Sequence, residues 1–478
     1  MLSRSLLSRK FHIVKTARCS TSLLIRARLR VLVGILCLLG SIARADLWVT
    51  GYYPGWEQWS MPPSNIDFTT LTHVIHFALV VNADGSLNSS GNSVTDANAA
   101  DLVSRAHAAG RKVLICAGGS DSQNGFQGAT GIAILSTFIN NLTNFMATRG
   151  YDGVDIDWEP LSAADTVQFS NLVSGLRSAL DTFAQHKLLT AAVGAYPPYG
   201  DPPTAEYTMF AALQSQFDQI NIMTYDLSGP WSGWVTWFNS PIYNGGYRFP
   251  STSGLVPSMD ASVSNFLSNG VVPGKLGIGI PFYGYLWTGG SGVWQPRQSW
   301  PANNVPTASQ QSYQTIITSY YQSNLYHWDT VAQAAYLSIT NVNATNDMFV
   351  SYDDPRACES KISFARNRGL GGVMIWELAQ DYFATQPVGR RDPLLQSVKQ
   401  ALATPGAAAI QLNGQQVSLS FTGAPLGAYR VQWAADLTAG VWSTLAITNV
   451  SGIGGVLQVA DPILPTQSQR FYRVQTPP

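Results

Sequence analysis

Short, almost continuously apolar runs recur between residues 47 and 405, and helix-length segments separate them. Runs without polar alternation are typical of strands that are covered on both faces, as in parallel sheets. Strands that alternate with helices in this way indicate repeated βα units closed into a (β/α)8 barrel, the TIM barrel of the α/β class. The runs that we take as its eight strands are residues 47–53, 72–80, 112–117, 153–158, 188–193, 219–225, 275–283 and 371–376.

Two parts of the chain depart from this alternation. The interval between the seventh and eighth runs is too long for one helix, so we predict a small α+β insertion over about 286–348. After residue 404 the sequence is punctuated by Gly and alternates without a helical period, which is typical of a small β-sandwich. We therefore expect a barrel domain over 46–404 and an all-β, sandwich-like C-terminal module over 405–478.

The first 45 residues have the features of a secretory signal peptide. Scattered Lys and Arg residues precede an apolar run over 31–42, and Ala43-Arg44-Ala45 stands directly before Asp46. The alternative, a membrane anchor, is disfavoured because the run is shorter than the roughly 20 residues that a spanning helix needs. We expect cleavage near Ala45 and Asp46, a secreted extracellular protein and no stable membrane insertion.

Removal of this segment changes the charge balance. Residues 1–45 contain nine Lys or Arg and no Asp or Glu, so the remaining chain has 28 − 9 = 19 basic residues against 28 acidic ones, a net charge of −9. This balance gives no reason to expect a nucleic-acid partner. Only Cys116 and Cys358 remain after cleavage, and whether they pair is left open. Because no metal-site spacing is left either, we expect no metal ion and no cofactor.

Acidic residues are concentrated at the fourth run, which reads DGVDIDWE over 152–159. Residues two apart in a strand point the same way, at roughly 6.6 Å per step, so Asp155, Asp157 and Glu159 share one face. The residues between them are apolar and suit packing against helices, which disfavours a solvent-exposed strand. We therefore expect the acids to face the lumen or the carboxyl-end mouth of the barrel, where active sites lie in this architecture.

Crowded carboxyl groups in a barrel of low dielectric repel one another, and this repulsion raises the pKa of at least one of them. One carboxylic acid then stays protonated near neutral pH, as a general acid requires. A metal site is the alternative for such a cluster, but no His accompanies the acids. The sequence favours acid–base chemistry at this position.

The segment over 152–159 resembles the D-x-x-D-x-D-x-E signature of glycoside hydrolase family 18, the chitinase family, and residues 47–400 resemble that family in order. Cys116 stands where the family has Ser in its S-x-G-G motif, and this small, isosteric change is expected to leave catalysis intact. The further segments that carry the resemblance are Gly51-Tyr52-Tyr53, Cys116-Ala117-Gly118-Gly119, Met223-Thr224-Tyr225-Asp226, Gly279-Ile280-Pro281-Phe282-Tyr283-Gly284, and Tyr352-Asp353-Asp354 with 371–376.

The resemblance implies a secreted chitinase that hydrolyses β-1,4-linked N-acetylglucosamine polymers by substrate-assisted retaining catalysis. Glu159 would protonate the leaving glycosidic oxygen while the 2-acetamido carbonyl of the substrate attacks the anomeric carbon. Asp157 would orient the acetamido group and stabilise the oxazolinium intermediate, and Asp155 would tune Asp157. Tyr225 would donate a hydrogen bond to the acetamido oxygen.

The same resemblance implies a substrate-binding surface around these groups. Asp226 would contact the distorted sugar, and Trp376 would form the apolar floor beneath it. Trp231, Trp234 and Trp237 follow the sixth run closely and suit stacking on pyranose faces, with packing on the barrel rim as the alternative. The other positions that we assign to substrate binding are Met223, Tyr52, Gly118 and Gly119.

The expected partners are chitin or N-acetylglucosamine oligosaccharides, and we expect a monomer. The insertion would raise one wall of a groove, which favours a polymer chain and endo action. Two alternatives stay open: an endo-β-N-acetylglucosaminidase or peptidoglycan-directed hydrolase of the same family, and a non-catalytic chitin-binding lectin, which the presence of Glu159 disfavours. The C-terminal module would serve either carbohydrate binding through Trp442 or attachment.

Overall fold

The computed structural model describes residues 47–475 apart from 196–203, 291, 342–343, 404–407, 414–415, 424–427, 436–440, 450–454 and 463–469. The predicted signal peptide lies outside the described residues, and so does the predicted domain boundary near residue 405, which stays a prediction. Within the described part of the chain, no helix combines the length and the hydropathy needed to cross a bilayer.

Eight parallel strands form a closed barrel. Each strand pairs with its two neighbours, and the first pairs with both the last and the second, which closes the sheet. The predicted (β/α)8 barrel is confirmed, and each predicted strand end falls within two residues of the observed one. The strands are β1 (Trp48–Pro54), β2 (His73–Val81), β3 (Lys112–Gly119), β4 (Gly153–Trp158), β5 (Leu188–Gly194), β6 (Gln219–Met223), β7 (Leu276–Pro281) and β8 (Gly372–Trp376).

Helices cover the outside of the barrel, and several begin at a side chain that caps them. Asp354, for example, accepts a hydrogen bond from the backbone N–H of Ala357 at 2.8 Å, directly before a helix whose first residue is Pro355. Both features are typical of a helix N-terminus. The helices are α1 (Asp96–Ala108), α2 (Gln123–Ala129), α3 (Leu135–Thr148), α4 (Thr166–Leu180), α5 (Thr204–Leu213), α6 (Met259–Ser268), α7 (Pro355–Asn367) and α8 (Pro393–Ala403).

Alternation along the strands separates two apolar clusters. In β4, Val154, Ile156 and Trp158 belong to the large cluster between the sheet and the helices. A second, smaller cluster fills the lumen. It includes Tyr52 from β1 and Met374 from β8, the first and last strands of the barrel. Asp155 and Asp157 therefore face the lumen, because successive side chains of a strand point to opposite faces.

The insertion forms a five-stranded antiparallel sheet between β7 and β8. Its first strand starts at Tyr283, earlier than the predicted start near residue 286, because the chain passes from β7 into this sheet almost without a break. Tyr283 and Tyr285 thereby reach the mouth of the barrel. The strands of this insertion sheet are Tyr283–Gly289, Pro306–Ser312, Tyr326–Asp329, Ala334–Ile339 and Met348–Tyr352.

The C-terminal strands form two three-stranded antiparallel sheets. Apolar side chains from both sheets, among them Phe421 and Val431, pack into one cluster between them, as in a β-sandwich. The Gln400 side chain on α8 donates a hydrogen bond to Ser420 Oγ at 2.9 Å and links the module to the barrel helices. The strands are Ala408–Asn413, Gln416–Gly423, Ala428–Ala434, Ser443–Asn449, Gly455–Pro462 and Phe471–Gln475.

Candidate active site

Strand β4 brings three carboxyl groups to the carboxyl end of the barrel. Asp155 is 0% exposed and Asp157 is 3% exposed. Glu159 follows directly after the strand end and is partly exposed. The acids thus form a series that runs from the closed lumen to its open mouth, as the period-two spacing predicts.

Asp155, the deepest of the three, is surrounded by hydrogen-bond donors. Tyr52 donates from its hydroxyl to Oδ2 at 2.9 Å, and Thr190 donates from Oγ1 to Oδ1 at 2.5 Å. The Cys116 thiol is a third partner. Burial raises the pKa of Asp155, and the three hydrogen bonds oppose this rise because they favour the charged carboxylate.

Asp157 and Glu159 are hydrogen bonded to each other through their carboxyl groups. Burial, followed by the negative charges of Glu159 and Asp155, raises the pKa of Asp157 well above its usual range. Burial also raises the pKa of Glu159, whereas the hydrogen bond from Asp157 lowers it. Both shifts favour a pair that keeps one proton, because two adjacent buried carboxylates repel each other. Asp157 Oδ1 is buried and has no hydrogen-bond partner in the described structure.

Tyr225 and Asp226 follow β6 and face these carboxyls. Burial, together with the negative charges of Asp157 and its neighbours, raises the pKa of Tyr225 well above its usual range, so the hydroxyl remains a donor. In the free protein this hydroxyl donates to the sulfur of Met374 at 3.6 Å. A thioether is a weak acceptor, so a substrate carbonyl would replace it at little cost.

Asp226 lies open to solvent at the mouth, yet protein groups surround it on the other sides. Its Oδ1 accepts a hydrogen bond from the Tyr283 hydroxyl at 2.6 Å, and Tyr285 is a second donor. Partial desolvation raises the pKa of Asp226, and both tyrosines oppose the rise. The insertion sheet therefore contributes two residues to the site, neither of which we assigned a role from the sequence.

Aromatic rings line the mouth beside the acids. Trp376 is partly exposed at the end of β8, and its ring centroid lies 5.6 Å from that of Tyr52 and 4.7 Å from that of Phe77. Phe77 in turn contacts Trp56, which is 40% exposed. An apolar surface of this kind suits the faces of a sugar ring.

Gly118 and Gly119 lie at the end of β3 and permit close approach of neighbouring elements. Their φ angles are +112° and +107°, a region that favours glycine. A Cβ on Gly118 would stand 2.0 Å from the backbone oxygen of Asp157, and one on Gly119 would stand 2.6 Å from the Phe77 ring. Both glycines, like the buried Tyr52, thus lie behind the groups that face the open mouth.

Ser122, a residue that we did not predict for the site, fixes the backbone of the acidic strand. Its Oγ accepts from the Glu159 N–H at 2.9 Å and donates to the Asp157 carbonyl oxygen at 3.1 Å. The next residue, Gln123, donates from its N–H to the Glu159 carbonyl oxygen at 3.0 Å. Ser122 stands three positions after the end of β3 and matches no motif. Only this position near the carboxyl end of a barrel strand would have pointed to it.

The three tryptophans that follow β6 differ in how far their side chains are exposed. Trp231 is 44% exposed, but Trp234 and Trp237 are 3% and 0% exposed. The prediction that Trp234 and Trp237 stack on sugars is therefore wrong, and the alternative, packing on the barrel rim, agrees with their burial. Both belong to the cluster between this loop and the insertion sheet. Met223 is partly buried against the lumen cluster.

Neither cysteine is paired: Cys116 and Cys358 are buried free thiols. Burial and the negative charges of Asp155 and Asp157 raise the pKa of Cys116 well above its usual range, so it stays a neutral thiol. In the part of the chain that the structure describes, no group of three or more His, Cys, Asp or Glu residues is arranged to hold a metal ion.

The model of the glycosyl hydrolases family 18 matches residues 49–381, well over half of the 478 residues. The chain belongs to this family of glycoside hydrolases. The matched range includes all of the barrel strands except Trp48, the first residue of β1, and it includes Asp155, Asp157 and Glu159.

Chitinase A1 of Niallia circulans is 31% identical over 296 residues, which are 56% of this chain and 40% of that protein. This chain therefore corresponds to less than half of that relative's length. Chitinase 1 of Aphanocladium album is 27% identical over 359 residues, which are 68% of this chain and 80% of that protein. Among solved structures, the group IV chitinase of Ostrinia furnacalis in complex with allosamidin has a TM-score of 0.63 at 23% identity, over 75% of this chain and 99% of that one. This likeness supports the fold.

Proposed function

We propose that this protein is a secreted chitinase that cleaves β-1,4 linkages between N-acetylglucosamine units by substrate-assisted retaining catalysis. The series Asp155, Asp157 and Glu159, which runs along one face of β4 to the mouth, carries the proposal, together with the hydrogen bond between the carboxyls of Asp157 and Glu159. Two-carboxylate glycosidases hold their acids about 5 to 5.5 Å apart when retaining and roughly 6.5 to 9.5 Å apart when inverting. Carboxyls that touch leave no room for a sugar carbon or a water between them. We therefore propose that the nucleophile is the 2-acetamido group of the substrate, as membership of family 18 implies.

Glu159 is the general acid in this proposal. One proton is shared between Asp157 and Glu159, and it crosses the hydrogen bond that joins them. Glu159 delivers this proton to the leaving glycosidic oxygen while the acetamido carbonyl oxygen bonds to the anomeric carbon. The pair is then fully ionised, and the positive oxazolinium ring beside it compensates for the second negative charge. Release of the proton is thus coupled to formation of charge in the substrate.

Tyr225 and Asp226 hold the reacting sugar. The Tyr225 hydroxyl leaves the Met374 sulfur and donates to the acetamido oxygen, which fixes that oxygen below the anomeric carbon. Asp226 contacts the distorted sugar from the mouth, and Trp376 supplies the apolar floor. Water that enters after the leaving group departs is deprotonated by Glu159 and attacks the anomeric carbon. This second attack restores the original anomeric configuration.

A polymer is the substrate that the fold favours. The insertion sheet stands beside the mouth and contributes Tyr283 and Tyr285 to it, so one side of the site is a wall. Such a wall suits a chain that extends beyond the cleaved bond, and we propose endo action on chitin by a monomeric enzyme.

Other glycans remain the second candidate, because the acid and the fold are shared and only the groove differs. A lectin function is disfavoured, since a binding protein has no need of the protonated Asp157–Glu159 pair. The test is product analysis after incubation with N-acetylglucosamine hexamer, a high-mannose glycoprotein and peptidoglycan in parallel. We expect dimers and trimers from the hexamer alone. Release of intact glycan from the glycoprotein with an uncleaved hexamer would overturn the proposed substrate, and binding without any cleavage would favour the lectin.

A further inference from the structure

A buried ion pair lies behind the mouth of the barrel, outside the groups described so far. Lys361 on α7 is 0% exposed and Asp353, directly before α7, is 3% exposed. The Lys361 ammonium donates to Asp353 Oδ2. Burial raises the pKa of Asp353 to about 6, and the charge of Lys361 opposes that rise. Lys361 lies on the apolar face of α7 with Cys358 and Ile362, where helical periodicity would place another apolar residue.

Lys361 also reaches the turn that carries Tyr225. Its ammonium donates to Ser240 Oγ at 2.5 Å. Ser240 Oγ in turn donates to the backbone carbonyl oxygen of Thr224, the residue before Tyr225. The ammonium therefore polarises the Ser240 hydroxyl, which strengthens the bond that Ser240 makes to the turn.

Asn239, next to Ser240, holds the other half of the same turn. Its Oδ1 accepts from the Asp226 N–H at 2.8 Å, and its carbonyl oxygen accepts from the Leu227 N–H at 3.0 Å. Its side-chain amide donates to the Tyr283 carbonyl oxygen at 3.3 Å, and the Tyr283 hydroxyl binds the Asp226 carboxylate. The pair Asn239–Ser240 thus contacts the backbone on both sides of Tyr225 and the tyrosine that binds Asp226.

The turn itself needs such support. Asp226 has a φ of 56°, in the left-handed region that non-glycine residues rarely adopt. A residue held there persists only when its surroundings determine its conformation. We propose that Lys361 and Asp353 form a positioning element that holds the Tyr225–Asp226 turn in its catalytic conformation through Ser240 and Asn239. This inference rests on the roles of Tyr225 and Asp226 in the proposed function.

Stability alone does not account for this ion pair, because buried pairs are often replaced by apolar side chains without loss of stability. That property makes the test possible. In the double variant Lys361→Met/Asp353→Leu no unpaired charge stays buried. We expect kcat on N-acetylglucosamine tetramer to fall about tenfold or more while KM changes little and the melting temperature stays close to that of the wild type.

Ser240→Ala is the second variant, since it keeps the ion pair and removes only its link to Thr224. We expect the same loss of kcat with a folded protein. The matched control is Lys399→Met, which breaks an ion pair to Asp67 on the outer surface of the barrel and should leave kcat unchanged. Wild-type kcat in both Ser240→Ala and the double variant would overturn the proposal.

A crystal structure of Ser240→Ala gives a readout that does not depend on activity. We expect a displaced Tyr225–Asp226 turn that has lost the hydrogen bond from Tyr283 to Asp226. If the wild-type protein cleaves no N-acetylglucosamine oligomer, the proposed function fails, and the position of this turn alone decides the positioning role. An unmoved turn in the variant would contradict it.

Discussion

The carboxyl groups of Asp157 and Glu159 are hydrogen bonded to each other at the carboxyl end of β4, and the raised pKa of both favours a pair that keeps one shared proton. Burial and mutual repulsion favour this state, because two adjacent carboxylates in a desolvated site cannot both ionise without a cation. Glu159 is the member of the pair that reaches the open mouth, which is why we propose it as the general acid. The contact also brings Asp157 and Glu159 closer together than the two acids of a two-carboxylate retaining glycosidase, which lie about 5 to 5.5 Å apart.

Glu159→Gln tests the acid. Glutamine keeps the shape and accepts the hydrogen bond from Asp157 but has no proton to deliver. We expect hydrolysis of N-acetylglucosamine tetramer to fall at least about 100-fold, with unchanged affinity for the tetramer by calorimetry. The circular dichroism spectrum serves as the folding control. Turnover near the wild-type rate would show that another group is the acid.

Asp157→Asn tests the proposed role of Asp157 in orienting the acetamido group. The amide cannot become negative, so it stabilises the oxazolinium charge less well, and we expect kcat to fall about 100-fold or more. The measurement is steady-state hydrolysis of the tetramer at several pH values. An unaltered rate across the pH range would remove the acetamido-orienting role from Asp157.

Tyr52→Phe and Cys116→Ser probe Asp155 from two sides. A hydrogen bond to a charged group contributes about 1.5 to 3 kcal/mol, so loss of the Tyr52 donor should raise the pKa of Asp155 and lower kcat about tenfold. Cys116→Ser replaces a weak donor by a stronger one and should change kcat far less. Comparison of the two kcat values is the measurement, and a larger effect of Cys116→Ser would contradict this description of Asp155.

Glu377→Gln concerns stability. Burial raises the pKa of Glu377 from 4.5 to about 8, so the folded protein holds a proton that the unfolded chain releases between these values. The stabilisation that this proton provides is complete below pH 4.5 and is lost as pH rises through 8. Over that window Glu377 lowers the free energy of unfolding by about 1.4 kcal/mol per pH unit. We expect the free energy of unfolding of Glu377→Gln, measured by urea titration, to lack this decrease between about pH 5 and 8. Parallel slopes in the two proteins would disprove the shift.

Much of the fold and part of the site follow from sequence periodicity. The barrel strands are buried on both faces, so they appear as apolar runs, and the spacing of Asp155, Asp157 and Glu159 places them on one face. Trp234 and Trp237 were misjudged because a Trp-rich loop looks the same whether it binds sugar or packs on the insertion sheet.

Other parts of the site arise from residues that are far apart in the sequence. Lys361 and Ser240 are separated by 121 positions. Ser122, which follows β3, accepts a hydrogen bond from Glu159, which follows β4. No periodic pattern connects such pairs. Tyr283 was assigned to the end of a barrel strand, whereas it starts the insertion sheet and contacts Asp226. These contacts depend on how loops meet at the mouth, which only the three-dimensional structure determines.

In the proposed mechanism the substrate's own acetamido group is the nucleophile. Attack by this group inverts the anomeric centre once, and attack by water inverts it again, so the first product must keep the β configuration. A glucosamine unit has no acetamido carbonyl and should not be cleaved at its own anomeric carbon at a comparable rate.

The most direct measurement follows the anomeric proton by NMR during the first minutes of tetramer hydrolysis, and then identifies the new reducing ends released from partly deacetylated chitosan. We predict that the β-anomer appears first and that the new reducing ends are N-acetylglucosamine. An α-anomer that forms first, or glucosamine accepted freely at the new reducing end, would contradict substrate-assisted catalysis.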